Sequence, residues 1–222
     1  MSAPPDAPRA EPRPEPGRTS GPRFVSFEGV DGAGKTTQLR RLAATLRAGG
    51  DEVVETREPG GAAGAEAIRR LLVEGDPGRW SPETECLLFT AARRDHLERT
   101  ILPALAAGRV VLTDRFADST RVYQGTARAD LRGAVDALHA LMIGREPDLT
   151  IILDLDPDEA LARGLARGGA EDRFERLGVG FQRRLRAGFL ALAAEFPERC
   201  RVVPADGGAD AVAARVAAAV LG

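Results

Sequence analysis

Apolar positions along the chain follow two periods. Short runs at 24–27, 53–56, 110–113, 149–155 and 201–203 read as strands, while between them apolar residues recur at three- and four-residue spacing. Leu39, Leu42, Ala43 and Leu46 mark a helix after the first strand. Ser81 as N-cap, with Pro82 at the first helical position, opens another through Leu87, Leu88 and Ala91. Leu97, Ile101, Leu102 and Leu105 continue or follow it up to Gly108. Helical stretches around 119–123 and 131–143 lead to the run at 149–155, whose unbroken apolar character marks a strand buried on both faces. Asp156 and Pro157 open a helix carrying Leu161 and Leu165, Phe181 to Leu192 define a long one, and Val212, Val216 and Val220 a last. This alternation predicts an α/β fold: a doubly wound five-stranded parallel sheet flanked by helices.

Residues 1–22 break the pattern, holding seven of the fifteen prolines and almost no large apolar side chain. Such a segment cannot bury a core, and a disordered tail is expected there. The remainder, 23–222, is expected to form one domain. The whole chain has 222 residues, 43% hydrophobic and 29% charged, with a formal net charge of −2. No excess positive field exists for duplex nucleic acid or an anionic membrane, so any anion must be met locally. No apolar run approaches the ~20 residues a bilayer requires and the N-terminus lacks a signal-peptide core, which places the protein in the cytoplasm as an expectation. Cys86 and Cys200, with no CxxC or histidine cluster, suggest neither disulfide nor zinc site.

Lys35 is the only lysine; every other basic side chain but the two histidines is arginine. The two are not interchangeable where a compact point charge must enter a tight site. Lys35 falls within Gly29-Val30-Asp31-Gly32-Ala33-Gly34-Lys35-Thr36, a complete GxxxxGKT phosphate-binding loop between the first strand and the first helix. Glycines let backbone N–H groups wrap a phosphate, the helix aims its positive end at the same anion, and the Thr36 hydroxyl can ligate Mg²⁺.

The loop signals a nucleoside triphosphate without choosing the reaction. A guanine-reading Asn-Lys-x-Asp segment is impossible with no second lysine, and a transporter-type Ser-Gly-Gly signature is missing. A small-molecule kinase fits best. Two further charge sets follow strands, where open parallel sheets bind ligands. Arg57-Glu58-Pro59-Gly60-Gly61 can hold a phosphate or form a surface turn. Asp114-Arg115-Phe116 can hold a Mg²⁺-bound water and the moving phosphoryl group, or form a strand-end ion pair. Phe89 and Arg93, four apart on a helix, can stack and hydrogen-bond a base or pack in the core. Ser119, Thr120, Tyr123 and Gln124 suit a sugar and base, or a solvated helix face. His96 and His139 read as structural or exposed. Beside a kinase for another nucleoside monophosphate or a deoxynucleoside, a phosphate-loop regulatory protein without transfer activity stays open.

Taken together, the stretch from Phe27 to Gln38, Arg57-Glu58-Pro59-Gly60-Gly61, Leu87-Leu88-Phe89 with Arg93, Asp114-Arg115-Phe116 with Ser119, and Tyr123-Gln124-Gly125 resemble the thymidylate kinase family. Later stretches, Pro147-Asp148-Leu149-Thr150, Leu153-Asp154 and Asp172-Arg173-Phe174-Glu175, also look like it. Ala62 and Ala65 depart from the family's usual threonine and glycine. The resemblance implies ATP-dependent phosphorylation of dTMP to dTDP in dTTP biosynthesis, by direct in-line transfer with Mg²⁺, in a homodimer. It implies that Gly29, Asp31, Gly32, Ala33, Gly34, Lys35, Thr36 and Thr37 bind ATP, and that Thr36 and Asp114 hold the metal. Arg57 and Arg115 would hold the dTMP phosphate, with Ser119 alongside. Phe89 would stack on thymine, Arg93 and Gln124 would bond its edge, and Tyr123 would fill the space of a ribose 2′-hydroxyl. Lys35, Asp31, Arg115 and Arg167 are the implied catalytic residues. Arg167 belongs to a mobile lid over about 163–176, which must supply the charge that Gly32 and Ala33 do not offer; Arg163, Arg173 and Arg176 are the other lid candidates.

Overall fold

The computed structural model describes residues 21–76, 78–127, 130–167 and 178–222, with only the backbone of 126–127 and 164–167. The expected tail and most of the lid, including Arg173 and Arg176, lie outside the described residues. So does the side chain of Arg167.

Five strands form one parallel sheet: β1 (Phe24–Glu28), β2 (Val53–Arg57), β3 (Val110–Asp114), β4 (Leu149–Asp154) and β5 (Cys200–Pro204), in the order β2-β3-β1-β4-β5. The chain winds outward from β1 in both directions, as expected. Every residue of β1 is buried, and β4 is buried except for its last, so both are covered on each face. Val25 and Phe27 join one core cluster with Leu39, Leu42 and Leu46 of α1 (Lys35–Ala48) and with Val212 and Val216 of α9 (Ala209–Leu221). Phe24, of opposite parity, packs with Leu97, Ile101, Phe116 and Ile143 in a second cluster. Leu185 and Phe189 of α8 (Gly178–Glu195) extend the larger cluster.

The helix α3 (Pro82–His96) begins as its sequence indicates: Ser81 Oγ accepts from Thr84 N–H at 3.2 Å, with Pro82 at the first position. It passes through a π-helical turn, Leu97–Ile101, into α4 (Leu102–Ala106), where Pro103 has no N–H for the α-helical ladder. Ahead of α3 lies α2 (Ala63–Val73), which the apolar spacing did not predict. Its N-cap position is Ala62, with no side-chain cap, so it carries no start signal. A distant side chain serves instead: Asp95 of α3 accepts from the first-turn Ala65 N–H at 2.8 Å, while Glu66 holds the preceding turn by accepting from Gly61 N–H at 2.9 Å. After β3 come α5 (Ala117–Val122), a second π-helical turn at Tyr123–Ala127 and α6 (Arg132–Met142), and α7 (Pro157–Arg167) follows β4.

Candidate active site

Register brings three strand ends to one level. Asp114 at the end of β3 pairs with Phe27 of β1 on one side and Arg57 of β2 on the other. The segments following these strands therefore share the crevice beyond their carboxyl ends.

The phosphate loop leaves β1 under a tight steric constraint. Gly29 has φ 130° and Gly32 has φ 89°. A Cβ on Gly29 would lie 2.5 Å from the Leu153 carbonyl oxygen, and one on Gly32 would collide with that of Ala160, so only glycine lets the loop pass this close to β4 and α7. The first turn of α1 has no side-chain cap, which leaves its N–H groups to an anion. Lys35, 7% exposed, folds back and donates to the carbonyls of Gly29 at 3.1 Å and Val30 at 2.9 Å. Burial lowers its pKa and the Arg115 charge adds to this, against Asp31, Asp114 and Glu28. Thr36 Oγ1 donates to the Asp114 carboxylate, so the loop's hydroxyl and the strand-end acid already adjoin.

Arg115 sits at φ 71°, in the left-handed region that a residue of its size rarely adopts. Its N–H donates to the Phe27 carbonyl at 2.9 Å, and its own carbonyl accepts from Thr113 Oγ1 at 2.9 Å. Thus clamped, the backbone aims the guanidinium back at the phosphate loop. Nη2 donates to Asp31 and, at 3.1 Å, to the Tyr123 hydroxyl; Nη1 donates to Ser119 Oγ at 2.9 Å. The Tyr123 hydroxyl donates to Asp31 Oδ2 at 3.0 Å, and Lys35 Nζ stands 3.7 Å from Asp31 Oδ1. Burial alone would raise the Asp31 pKa, but the Arg115 and Lys35 charges and the Tyr123 hydrogen bond bring it down to about 2. Beneath Arg115, the fully buried Glu28 accepts from Phe116 N–H at 2.7 Å and Ser119 Oγ at 2.5 Å.

A second group faces these charges from α3. Arg93 is 4% exposed. It donates from Nε to Glu58 Oε2 at 2.7 Å and from Nη2 to the Phe116 carbonyl at 3.1 Å and Thr120 Oγ1 at 3.0 Å. Its Nη1 makes no hydrogen bond to a described residue. Glu58 also bonds His96 Nδ1 at 3.0 Å, and His96 Nε2 meets Thr56 Oγ1 at 2.7 Å. One turn before Arg93 on the same helical face, Phe89 is half-buried. Gln124 is buried and donates from Nε2 to the buried Glu85 at 3.1 Å. Thr120, Tyr123 and Gln124 are all buried, so a solvated helix face does not describe them. Arg57 remains exposed at the end of β2 and pairs with Glu66 at 2.9 Å.

Asp31, Lys35, Thr36, Asp114, Arg115, Ser119 and Tyr123 thus converge, while Phe89, Arg93 and Gln124 are held by α3 and the second π-helical turn. Glu58 was read only as part of the turn after the second strand, the buried His96 only as structural or exposed, and Glu85 not at all; their partners lie 35 to 40 residues away, and no spacing signals them. Cys86 and Cys200 are free, buried thiols.

This constellation can bind a triphosphate at the glycine loop and present a second phosphorylated molecule across Arg115. Residues 27–216 match the family model described as thymidylate kinase. The chain belongs to the thymidylate kinase family. A thymidylate kinase of Jannaschia sp. (strain CCS1) is 66% identical over 192 residues, 86% of this chain and 92% of that protein. One of Ruegeria pomeroyi is 65% identical over 198 residues, 89% of this chain and 94% of that protein. Among solved structures, the thymidylate kinase of Ehrlichia chaffeensis has a TM-score of 0.72 at 35% identity, covering 90% of this chain and 98% of that one. Membership of the thymidylate kinase family fits the convergence of a phosphate loop with the part-buried guanidinium of Arg115.

Proposed function

We infer that the chain transfers the γ-phosphoryl group of ATP to dTMP, giving dTDP and ADP on the route to dTTP. The observation that carries the reading is Asp31: this one carboxylate, inside the phosphate loop, meets Lys35 on the ATP side and Arg115 and Tyr123 on the acceptor side. Donor and acceptor subsites are thereby built at a fixed separation, which is what in-line phosphoryl transfer requires.

In this reading Gly29, Asp31, Gly32, Ala33, Gly34, Lys35, Thr36 and Thr37 hold the ATP phosphates. Thr36 and Asp114, hard oxygen donors already in contact, suit Mg²⁺. The ion supplies neutralisation of charge on the phosphate oxygens when bound. Arg57 and Arg115 hold the dTMP phosphate, with Ser119 fixing Arg115. Phe89 stacks on the base, Arg93 Nη1 and Gln124 bond its edge, and Tyr123 crowds the 2′ position. Arg167 brings a further charge as the lid closes and water is excluded. Among the described residues no helix is long and apolar enough to cross a membrane, and we place the enzyme in the cytoplasm as a homodimer. Exposed Leu87 on α3 with Leu141 and Met142 on the adjoining α6 supports that assembly.

The test is product identification. Purified protein with ATP, Mg²⁺ and dTMP should yield equimolar ADP and dTDP by anion-exchange chromatography. ADP without dTDP would reduce it to an ATPase.

A further inference from the structure

Glu85, Phe89 and Arg93 stand four residues apart along α3, so all three face the same side of the helix. The first is fully buried and accepts from Gln124 Nε2 at 3.1 Å. A carboxylate accepts hydrogen bonds and cannot donate, whereas a side-chain amide can present either edge. Contact with Glu85 therefore settles which way Gln124 faces: its NH₂ turns toward α3, and Oε1 remains as the acceptor. We propose that Glu85 is a specificity-setting positioning residue, which presents Gln124 Oε1 to pyrimidines carrying an N3–H. Thymine and uracil donate at N3. Cytosine has a bare acceptor there, and two facing acceptors in a buried site leave both unpaired, a strong source of discrimination. The proposal rests on reading Gln124 as a base contact.

Glu85→Gln tests it, because a second amide can accept or donate and frees Gln124 to turn over. The readout is the ratio of kcat/KM for dTMP to that for dCMP. We expect this ratio to fall at least tenfold in Glu85→Gln, while Glu85→Asp, which keeps a carboxylate, retains it within about threefold even if both activities drop. Glu85→Met, of similar length and without an acceptor, should show the same fall and serves if the glutamine variant does not fold. A purely structural role would lower both substrates together and leave the ratio unchanged. Gln124→Ala separates the two layers. If it changes the ratio and Glu85→Gln and Glu85→Met do not, the role of Glu85 is overturned and the base contact stands; if it does not change the ratio either, the base contact falls and the proposal with it.

Discussion

Glu28 and Arg115 share one hydroxyl: Ser119 Oγ donates to the Glu28 carboxylate at 2.5 Å and accepts from Arg115 Nη1 at 2.9 Å. Burial, with Asp118 of α5 adding like charge, pushes Glu28 up to about 7 against the opposing pull of Arg115. Above that pH the carboxylate accepts from Phe116 and Ser119. Below it, the carboxyl must donate, and the Ser119 oxygen it faces at 2.5 Å already accepts from Arg115 Nη1. We expect kcat to fall as pH drops through about 7, and Glu28→Gln to flatten this limb and lower kcat at pH 8. The folded-state value lies above the ordinary 4.5, so Glu28 makes stability decline as pH rises from 4.5 toward 7. Removing the charge should leave Tm at pH 8 equal or higher, which separates lost activity from lost folding. A pH–kcat profile with its acid limb unchanged in Glu28→Gln contradicts this role.

Lys35 owes its position to two carbonyls in a nearly closed pocket. Lys35→Ala should lower kcat by about 10²-fold or more, the order seen when a preorganised charge-stabilising group is lost. Lys35→Arg should not restore it, because the planar fork does not fit a space made for an ammonium. Near-normal turnover of the arginine variant in a steady-state assay would refute the argument.

Glu58 and Arg93 form an ion pair with both side chains only 4% exposed. Removing one partner strands a buried charge. Glu58→Ala should cost about 3–5 kcal/mol in denaturant unfolding, whereas a loss below about 1 kcal/mol would show that water readily replaces the carboxylate.

Much of this was legible because it is local. Each strand is a short segment built around consecutive apolar residues, and the phosphate loop is eight consecutive residues whose glycines answer to sterics now visible at Leu153 and Ala160. The long-range pattern was not legible. Glu58, Glu85 and His96 meet their partners through the crossing of β2, α3 and the second π-helical turn, and no spacing in the chain encodes such a meeting. The helix α2 escaped for a related reason: no side chain caps it at Ala62, and its first-turn Ala65 N–H is taken by Asp95, thirty residues further along.

Leu141, 75% exposed, and Met142, 45% exposed, lie on α6, which the Arg94 Nη1 bond to the Met142 carbonyl at 2.7 Å ties to α3, the helix that carries Leu87, 58% exposed. We propose that these exposed apolar side chains meet a second copy of the chain. Light scattering should give a dimer mass for the wild type and a monomer for Leu141→Asp. A monomeric wild type would contradict the assembly.

The assignment of dTMP as acceptor is tested most directly by kcat/KM over a panel of dTMP, dUMP, dCMP and dGMP at saturating ATP and Mg²⁺. With Phe89, Arg93, Tyr123 and Gln124 as the pocket, dTMP should lead. It should exceed dUMP only modestly, since one methyl group gives ~1–3 kcal/mol of discrimination, and dCMP and dGMP by far more. A panel led by any other nucleotide would contradict the assignment.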